Sequence, residues 1–246
     1  MPDSPPVKIS IIIPVLNEAK AIAQTINQAQ NATAVEIIVV DGGSTDGTIQ
    51  AANHVQVLTA PPGRATQMNA GAAAASGDIL LFLHADTLLP PEFDTWVRQI
   101  LAQPGMIAGA FQLKIDGSSP SLRIVEKMVN LRSRYCQMPY GDQAIFLKTT
   151  TFQQLGGFPN QPIMEDFELM RRLQRMGRIA IPKLRAVGIA PLPVVTSARR
   201  WQKLGILKTT LINQIVIIAY FLGVSPNRIA SWYRQNHKNT SIHHQK

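Results

Sequence analysis

The sequence predicts an α/β fold: a largely parallel sheet with helices on both faces, ending in a helical appendage. Three observations lead there. Short, continuous apolar runs such as Ile9–Ile13, Glu36–Val40 and Ile79–Leu83 read as strands buried on both faces. Segments with helical apolar spacing separate them, giving a βαβα rhythm. The stretch after Pro193 turns helical from about Arg199 to Arg234, with a break at Ser225-Pro226. The expected division is a domain over residues 1–195 and a helical extension over 196–246, lying on that domain, at a homodimer interface or on a membrane surface.

Taken in order, Ile9–Ile13 is a strand expected to end at Pro14, followed by a helix carrying Ala19, Ile22, Ala23 and Ile26 on one face. Glu36–Val40 is the second strand, with Asp41-Gly42-Gly43 as its turn, and Val55–Leu58 is a third. Arg64–Ser76 is alanine-rich and reads as a helix stopped by Gly77. Ile79–Leu83 runs into His84-Ala85-Asp86. Pro90-Pro91 then opens a helix with Phe93, Val97, Ile100 and Leu101 inward. The second half is less regular: Ile107–Ile115 and Gln143–Leu147 read as strands, Glu165–Met176 as a helix, and Gly105, Gly117 and Pro120 as turns. Ligands of such sheets sit beyond the carboxyl ends of the strands, where Asp41 and Asp86 fall.

Composition narrows the function. Of 246 residues, 24 are basic and 15 acidic, a net charge of +9 that calls for an anionic partner. The bases gather late: Arg171, Arg172, Arg175, Arg178, Lys183 and Arg185, then Arg199, Arg200, Lys203 and Lys208. Aromatics are too few, at 6%, for the stacked platforms of a nucleic-acid binder, so nucleic acid is not the expected partner. A single cysteine, Cys136, fits a reducing, cytoplasmic compartment. The first residues have neither the basic start nor the apolar run of a signal peptide. Leu204–Val224 includes Lys208, Asn213 and Gln214, and its clean apolar core of about ten residues falls short of the roughly 20 a span needs. There is no Walker loop, no Gly-X-Gly-X-X-Gly, no Gly-X-Ser-X-Gly, and no histidine cluster, since His237, His243 and His244 lie in a polar tail.

Four constellations carry chemistry. Pro14–Glu18 with Val40–Gly47 pairs two strand ends. Its glycines let backbone approach a flat or charged ligand, and Asp41 is placed to accept from a uracil imide or a ribose hydroxyl. The bland reading is a turn in which Ser44, Thr45 or Asp46 caps a helix. Arg64 opens a helix, where a positive charge opposes the dipole, so an anion such as phosphate is expected beside it, the bland alternative being a solvated surface arginine. Gln67 and Asn69 follow on the same helix with ambiguous roles. His84 and Asp86, two apart on an extended segment, are expected on one side, where Asp86 suits a Mg²⁺ or Mn²⁺ holding a diphosphate. His84 is a ligand, a phosphate donor or a strand-end residue. Glu165, Asp166 and Glu168 crowd a helix start, either as dipole partners or with one acting as a general base.

Together and in this order, from about Lys8 to Ala190, these residues resemble the inverting family-2 glycosyltransferases of the Rossmann-like GT-A fold. The resemblance implies a nucleotide-sugar donor, most often a UDP-sugar, and a hydroxyl acceptor on a small molecule. Asp41 matches the nucleoside-binding aspartate, with Pro14, Asn17, Glu18, Gly43, Arg64, Gln67, Asn69 and Ala85 on the donor side. The family often has two acids where this chain has Asp41-Gly42. Asp86 matches the last acid of the metal-binding Asp-X-Asp, whose first acid is replaced by His84. Gly141-Asp142-Gln143 and Gly156-Gly157-Phe158 resemble acceptor-side segments. Asp166 looks like the catalytic base, with Glu165 beside it. At finer grain, Leu83–Thr87, Tyr140–Gln143 and Thr196–Trp201 resemble a bacterial subgroup associated with arsenosugar biosynthesis and radical-SAM genes. The rival expectations are a transferase acting on a lipid-linked acceptor at the inner membrane surface, and a nucleotide-binding protein without catalysis.

Overall fold

A computed structural model describes the backbone of residues 6–181 and 193–242, with side chains as far as residue 234. Lys183, Arg185, the Ala190–Leu192 stretch and the tail histidines lie outside the described side chains. The first half follows the expected rhythm: β1 (Ile9–Val15), α1 (Ile22–Ala29), β2 (Val35–Asp41), α2 (Thr48–Ala51), β3 (Gln56–Thr59), α3 (Arg64–Ala74) and β4 (Ile79–Phe82). Next come β5 (Thr87–Leu88), α4 (Phe93–Leu101), β6 (Met106–Gly109), β7 (Leu113–Asp116), α5 (Pro120–Cys136), a 3-10 turn at Gly141–Gln143, β8 (Phe146–Lys148), α6 (Thr149–Gln154), α7 (Glu165–Gln174) and β9 (Arg178–Ala180). The C-terminal part holds β10 (Val194–Ser197), α8 (Arg199–Leu204), α9 (Ile206–Phe221) and α10 (Pro226–Ile242).

The main sheet has the order β3-β2-β1-β4-β8-β6-β9, and a small sheet has the order β5-β10-β7. β1, β2, β3 and β4 run parallel, while β8 is antiparallel to both β4 and β6. The carboxyl ends of β1, β2 and β4 therefore share one edge with the start of β8. Alternate residues feed two cores. Ile11, Ile13, Val39 and Leu81 meet Ile22 and Ile26 of α1 and Phe93, Trp96 and Val97 of α4. Ile12, Ile38, Val40, Leu80 and Phe82 meet Ala65 and Met68 of α3, Phe152 of α6, and Leu169, Met170 and Leu173 of α7. Strands covered on both faces explain why these runs are apolar without alternation.

Several expectations are corrected. Pro14 does not end the first strand; it pairs with Val40 inside β1, at a level where β4 has already stopped. α3 ends before Gly77, because Ala75 is already extended. Ile107–Ile115 is not one strand. It divides into β6 and β7, which join different sheets, and the chain crosses between them at the buried Phe111. Pro120 is not simply a turn but opens the 17-residue α5. The expected boundary at 195/196 falls inside β10, and Trp201 of α8 is buried in the first core, so that core extends past residue 195.

The appendage packs where it matters for the site. Ile212 and Val216 of α9 and Ile229 of α10 form a third cluster with Met164 and Phe167, which bracket the first residues of α7. The break at Ser225-Pro226 is present, and Gly205, at φ 81°, adds a second break between α8 and α9. Among the described residues no helix is long and apolar enough to cross a membrane.

Candidate active site

The loops after β1 and β2 are fastened to each other before they can meet any ligand. Asn17, at φ 56°, donates its N–H to Ser44 Oγ at 2.9 Å and accepts from Thr45 N–H at 2.9 Å. Glu18 N–H goes to Thr48 Oγ1 at 2.8 Å. Asp41 is buried, and its carboxylate accepts from Gly43 N–H at 2.8 Å and Ser44 N–H at 3.0 Å. Asp41 thus shapes the turn; a base or ribose contact has to use its remaining lone pairs. Asp46 accepts from Thr48 N–H at 3.0 Å just ahead of α2, whose N-cap is Gly47, so Asp46 braces the helix start without being its cap.

Five residues expected at a ligand are engaged by the scaffold. Gln67 is buried, and its amide donates to Val15 C=O and Val40 C=O, both at 2.8 Å, while accepting from Gly63 N–H at 3.2 Å. Both of its donors are used in tying the ends of β1 and β2 together. A Cβ on Gly42 would lie 3.1 Å from that amide, so the missing second acid and the Gln67 tie belong to one arrangement. Asn69 exchanges two 2.9 Å hydrogen bonds with the backbone of Phe158. Phe158 packs against Phe82 and Phe152 in the core, and Gly157, at φ 76°, lets the loop approach Asn69. Gln143 is fully buried, bonded to Ser133 Oγ at 2.6 Å and to Phe111 C=O at 2.9 Å. Ala85 is buried too, and its carbonyl accepts from Thr25 Oγ1 at 2.7 Å.

What converges is a cluster around His84, Gly141 and Asp166. Asp166 accepts Gly141 N–H at 2.9 Å with one carboxylate oxygen and Phe167 N–H at 2.7 Å with the other. A Cβ on Gly141 would lie 2.9 Å from His84 Nε2 and 3.5 Å from Asp166 Oδ2, so only glycine lets the three meet. Glu165 is buried beside them; burial first, then the Asp166 charge, pushes it up to about 7. Burial likewise raises Asp142, whose Oδ1 has no partner. Arg64 is exposed at the start of α3 and makes no hydrogen bond or ion pair among the described residues. Its charge, with that of Arg200, reaches His84 and Asp142. Sequence reading missed Arg132, whose guanidinium stacks 3.6 Å from the Tyr140 ring centroid, because α5 was not recognised.

Burial first, then Arg64 and Arg200, pushes His84 from 6.5 down to about 3. Between those values the unfolded chain binds a proton that the folded imidazole refuses, so stability is lost as pH falls through that window. Glu165, raised from 4.5 to about 7, acts in the opposite sense across its own range, so the test is a comparison with a variant. His84→Gln is expected to flatten the acid-side fall of Tm by several degrees; parallel curves would refute the assignment.

His84 and Asp86 do not face one point. The chain leaves extended geometry after Phe82 and turns at Ala85-Asp86, where Thr87 N–H closes on His84 C=O at 3.1 Å. His84 turns to Gly141. Asp86 turns to Arg199, whose Nη2 lies 2.7 Å from Asp86 Oδ2 and 2.7 Å from Glu18 Oε2. The hydrogen bond that Arg199 donates to Asp86, then that to Glu18, raises its pKa. Among the described residues no three His, Cys, Asp or Glu side chains form a metal-ready group.

Comparison with known proteins follows the same lines. Residues 10–154, more than half of the chain, match the family described as glycosyl transferase family 2. An uncharacterized glycosyltransferase of Nostoc sp. is 35% identical over 127 residues, covering 47% of this chain and 39% of its own. An undecaprenyl-phosphate 4-deoxy-4-formamido-L-arabinose transferase of Yersinia pestis is 36% identical over 100 residues, covering 35% of this chain and 31% of its own. The chain thus spans less than half the length of these curated relatives. Among solved structures, glucosyl-3-phosphoglycerate synthase of Mycobacterium tuberculosis, in complex with Mn²⁺, UDP and glucosyl-3-phosphoglycerate, has a TM-score of 0.54 at 24% identity. The match covers 71% of this chain and 69% of that one. The shared fold is of the GT-A type.

Proposed function

The chain belongs to glycosyl transferase family 2, and from that premise we propose that it moves a sugar from a nucleotide-sugar, a UDP-sugar, to a hydroxyl of a small-molecule acceptor, inverting the anomeric centre. One observation carries the reading. Asp166 stands at the start of α7 with both oxygens held by backbone N–H groups, facing His84 across Gly141, near the charge of Arg64. A carboxylate fixed in one rotamer at a strand-end crevice is what proton removal from an acceptor hydroxyl requires.

The step is a single displacement. The acceptor oxygen gives its proton to Asp166 and attacks the anomeric carbon from the face opposite the nucleotide. The bond from that carbon to the diphosphate oxygen breaks, and the leaving charge falls toward Arg64 at the α3 N-terminus. Pro14–Glu18 and Asp41–Gly43 are the nucleoside side, braced by Gln67. Gly141, Asp142 and the Arg132–Tyr140 stack are the acceptor side. Neutral His84 offers one N–H to a phosphate or sugar oxygen. Mg²⁺ or Mn²⁺ is the cofactor expected at Asp86 and His84, but the two diverge and Arg199 already holds Asp86, so the pair as placed does not fit the ion.

Incubation with UDP-, GDP- and dTDP-sugars and a panel of hydroxyl acceptors tests the reading. Release of nucleoside diphosphate, with product of opposite anomeric configuration by NMR, is expected with one donor. Retained configuration, or no release from any donor, would sink it.

A second reading, a lipid-linked acceptor at the inner face of the membrane, has one observation in its favour. Leu207, Leu211, Ile215, Ile218 and Leu222 form an exposed apolar stripe at helical spacing along α9, with Leu207 87% and Leu222 77% exposed. Ile124, Met128, Leu131 and Tyr135 form another on α5, which touches α9. On this reading the protein sediments with anionic vesicles, and L211E/I218E lowers the bound fraction several-fold. Absent sedimentation, with a concentration-dependent dimer that the same changes dissolve, would make the stripe a homodimer interface.

A further inference from the structure

Glu18 lies in the loop after β1, Asp86 in the turn after β4, and Arg199 opens α8. They are separated by 181 and 113 positions, yet Arg199 Nη2 touches both carboxylates at 2.7 Å. The acids are largely covered, at 24% exposure each, while the arginine side chain is 51% exposed. Among the described residues, Arg199 Nε and Nη1 bond to no protein group. The guanidinium is therefore anchored by one nitrogen, with Nε–H and Nη1–H left over on a half-exposed side chain at the edge where the parallel strands end.

We infer that Arg199, locked between Glu18 and Asp86, joins Arg64 in seating the donor's diphosphate, so that nucleoside diphosphate binding requires no divalent metal. The inference rests on the nucleotide-sugar reading and deepens it. With both Nη2 hydrogens on the carboxylates, Nε–H and Nη1–H each offer a single charge-assisted bond to a phosphate oxygen, and an anchored guanidinium loses little rotamer freedom on binding. Glu18, Asp86 and Arg199 together carry one negative charge. Arg64 and Arg200, both near enough to act on His84, more than offset it. A Mg²⁺ or Mn²⁺ would first have to displace Arg199 from two charge-assisted hydrogen bonds, and His84, the other expected ligand, is turned to Gly141.

The test is calorimetric titration of UDP, GDP and dTDP into the full chain, in EDTA and in Mn²⁺, for wild type, Arg199→Ala and Arg199→Lys, with thermal melts to establish that each variant is folded. Wild type is expected to bind one nucleotide with the same Kd, within about twofold, in both buffers. Arg199→Ala is expected to lose about 10-fold or more in EDTA and to recover part of it in Mn²⁺, because two carboxylates are left without their cation. Arg199→Lys, which keeps the charge but cannot hold both carboxylates and still offer the same two donors, is expected to fall between. Wild-type binding that appears only with Mn²⁺ would overturn the inference while leaving the nucleotide-sugar reading intact. Undiminished binding by folded Arg199→Ala in EDTA would also overturn it. No binding of any nucleotide in either buffer would overturn both.

Discussion

Asp166→Asn is expected to lower sugar transfer by about 10²- to 10⁴-fold, the usual contribution of a positioned general base, with nucleotide affinity unchanged. The amide cannot take the acceptor proton, yet it keeps the size of the carboxylate. It also keeps one oxygen to accept either Gly141 N–H or Phe167 N–H, which the wild-type carboxylate accepts at 2.9 and 2.7 Å. The other N–H faces an NH₂ instead, at a cost of about 1 kcal/mol, or 2–4 °C in Tm. A loss of transfer far larger than that modest destabilisation separates chemistry from folding. Glu165 supplies the control. It is buried and pushed up to about 7, partly by the Asp166 charge. Glu165→Gln therefore removes a group that burial already pushes toward its neutral form, and transfer at pH 7 should change little. If Glu165→Gln abolishes transfer and Asp166→Asn does not, the roles of the two acids are exchanged.

The first half of the fold was legible because burial on both faces leaves a strand no polar positions, so β1, β2 and β4 stood out as apolar runs. α4 was equally plain, since Phe93, Val97, Ile100 and Leu101 all face inward. α5 escaped for a physical reason. Leu122, Val125 and Val129 pack inward while Ile124, Met128 and Leu131 lie exposed, so apolar residues appear on opposite sides of one helix. Missing α5 meant missing Arg132 beside Tyr140. β6 and β7 merged in the sequence because Phe111, between them, is as buried as a strand residue.

The site was legible by position more than by role. Asp166, Gly141 and His84 do come together. Pro14, Asn17, Glu18, Asp41 and Gly43 lie at the ends of β1 and β2, as expected of a nucleoside side. Yet Gln67, Asn69, Gln143 and Phe158 sit next to the crevice without opening into it. An amide that satisfies buried carbonyls looks the same in sequence as one that reads a ligand. Arg199 was visible only as one base in a basic run. Its contacts with Glu18 and Asp86 join three separate loops, and no spacing rule reaches across such distances.

Gln67 gives the sharpest separation between the scaffold role and the ligand role. Its two donors hold Val15 C=O and Val40 C=O, the last carbonyls before the two nucleoside-side loops, and it is 4% exposed. Gln67→Ala removes both bonds, leaves Val40 C=O without that donor, and opens a cavity beneath the loops. Val15 C=O keeps Gly42 N–H at 2.9 Å, which limits the damage there. The expected cost is about 3 kcal/mol, combining two lost buried hydrogen bonds with the lost packing. In a chain of this size that is a fall of roughly 6–12 °C in Tm. Gln67→Met, which fills the volume without donors, should recover the cavity part alone and fall about half as far. Nucleotide affinity should drop in both variants in step with stability, because the loops that form the pocket are set by the tie. A Gln67→Ala protein that melts with wild type and loses only nucleotide affinity would put this side chain on the ligand. The crevice between β1 and β2 would then open differently from the arrangement in which Gly42 lies against the amide.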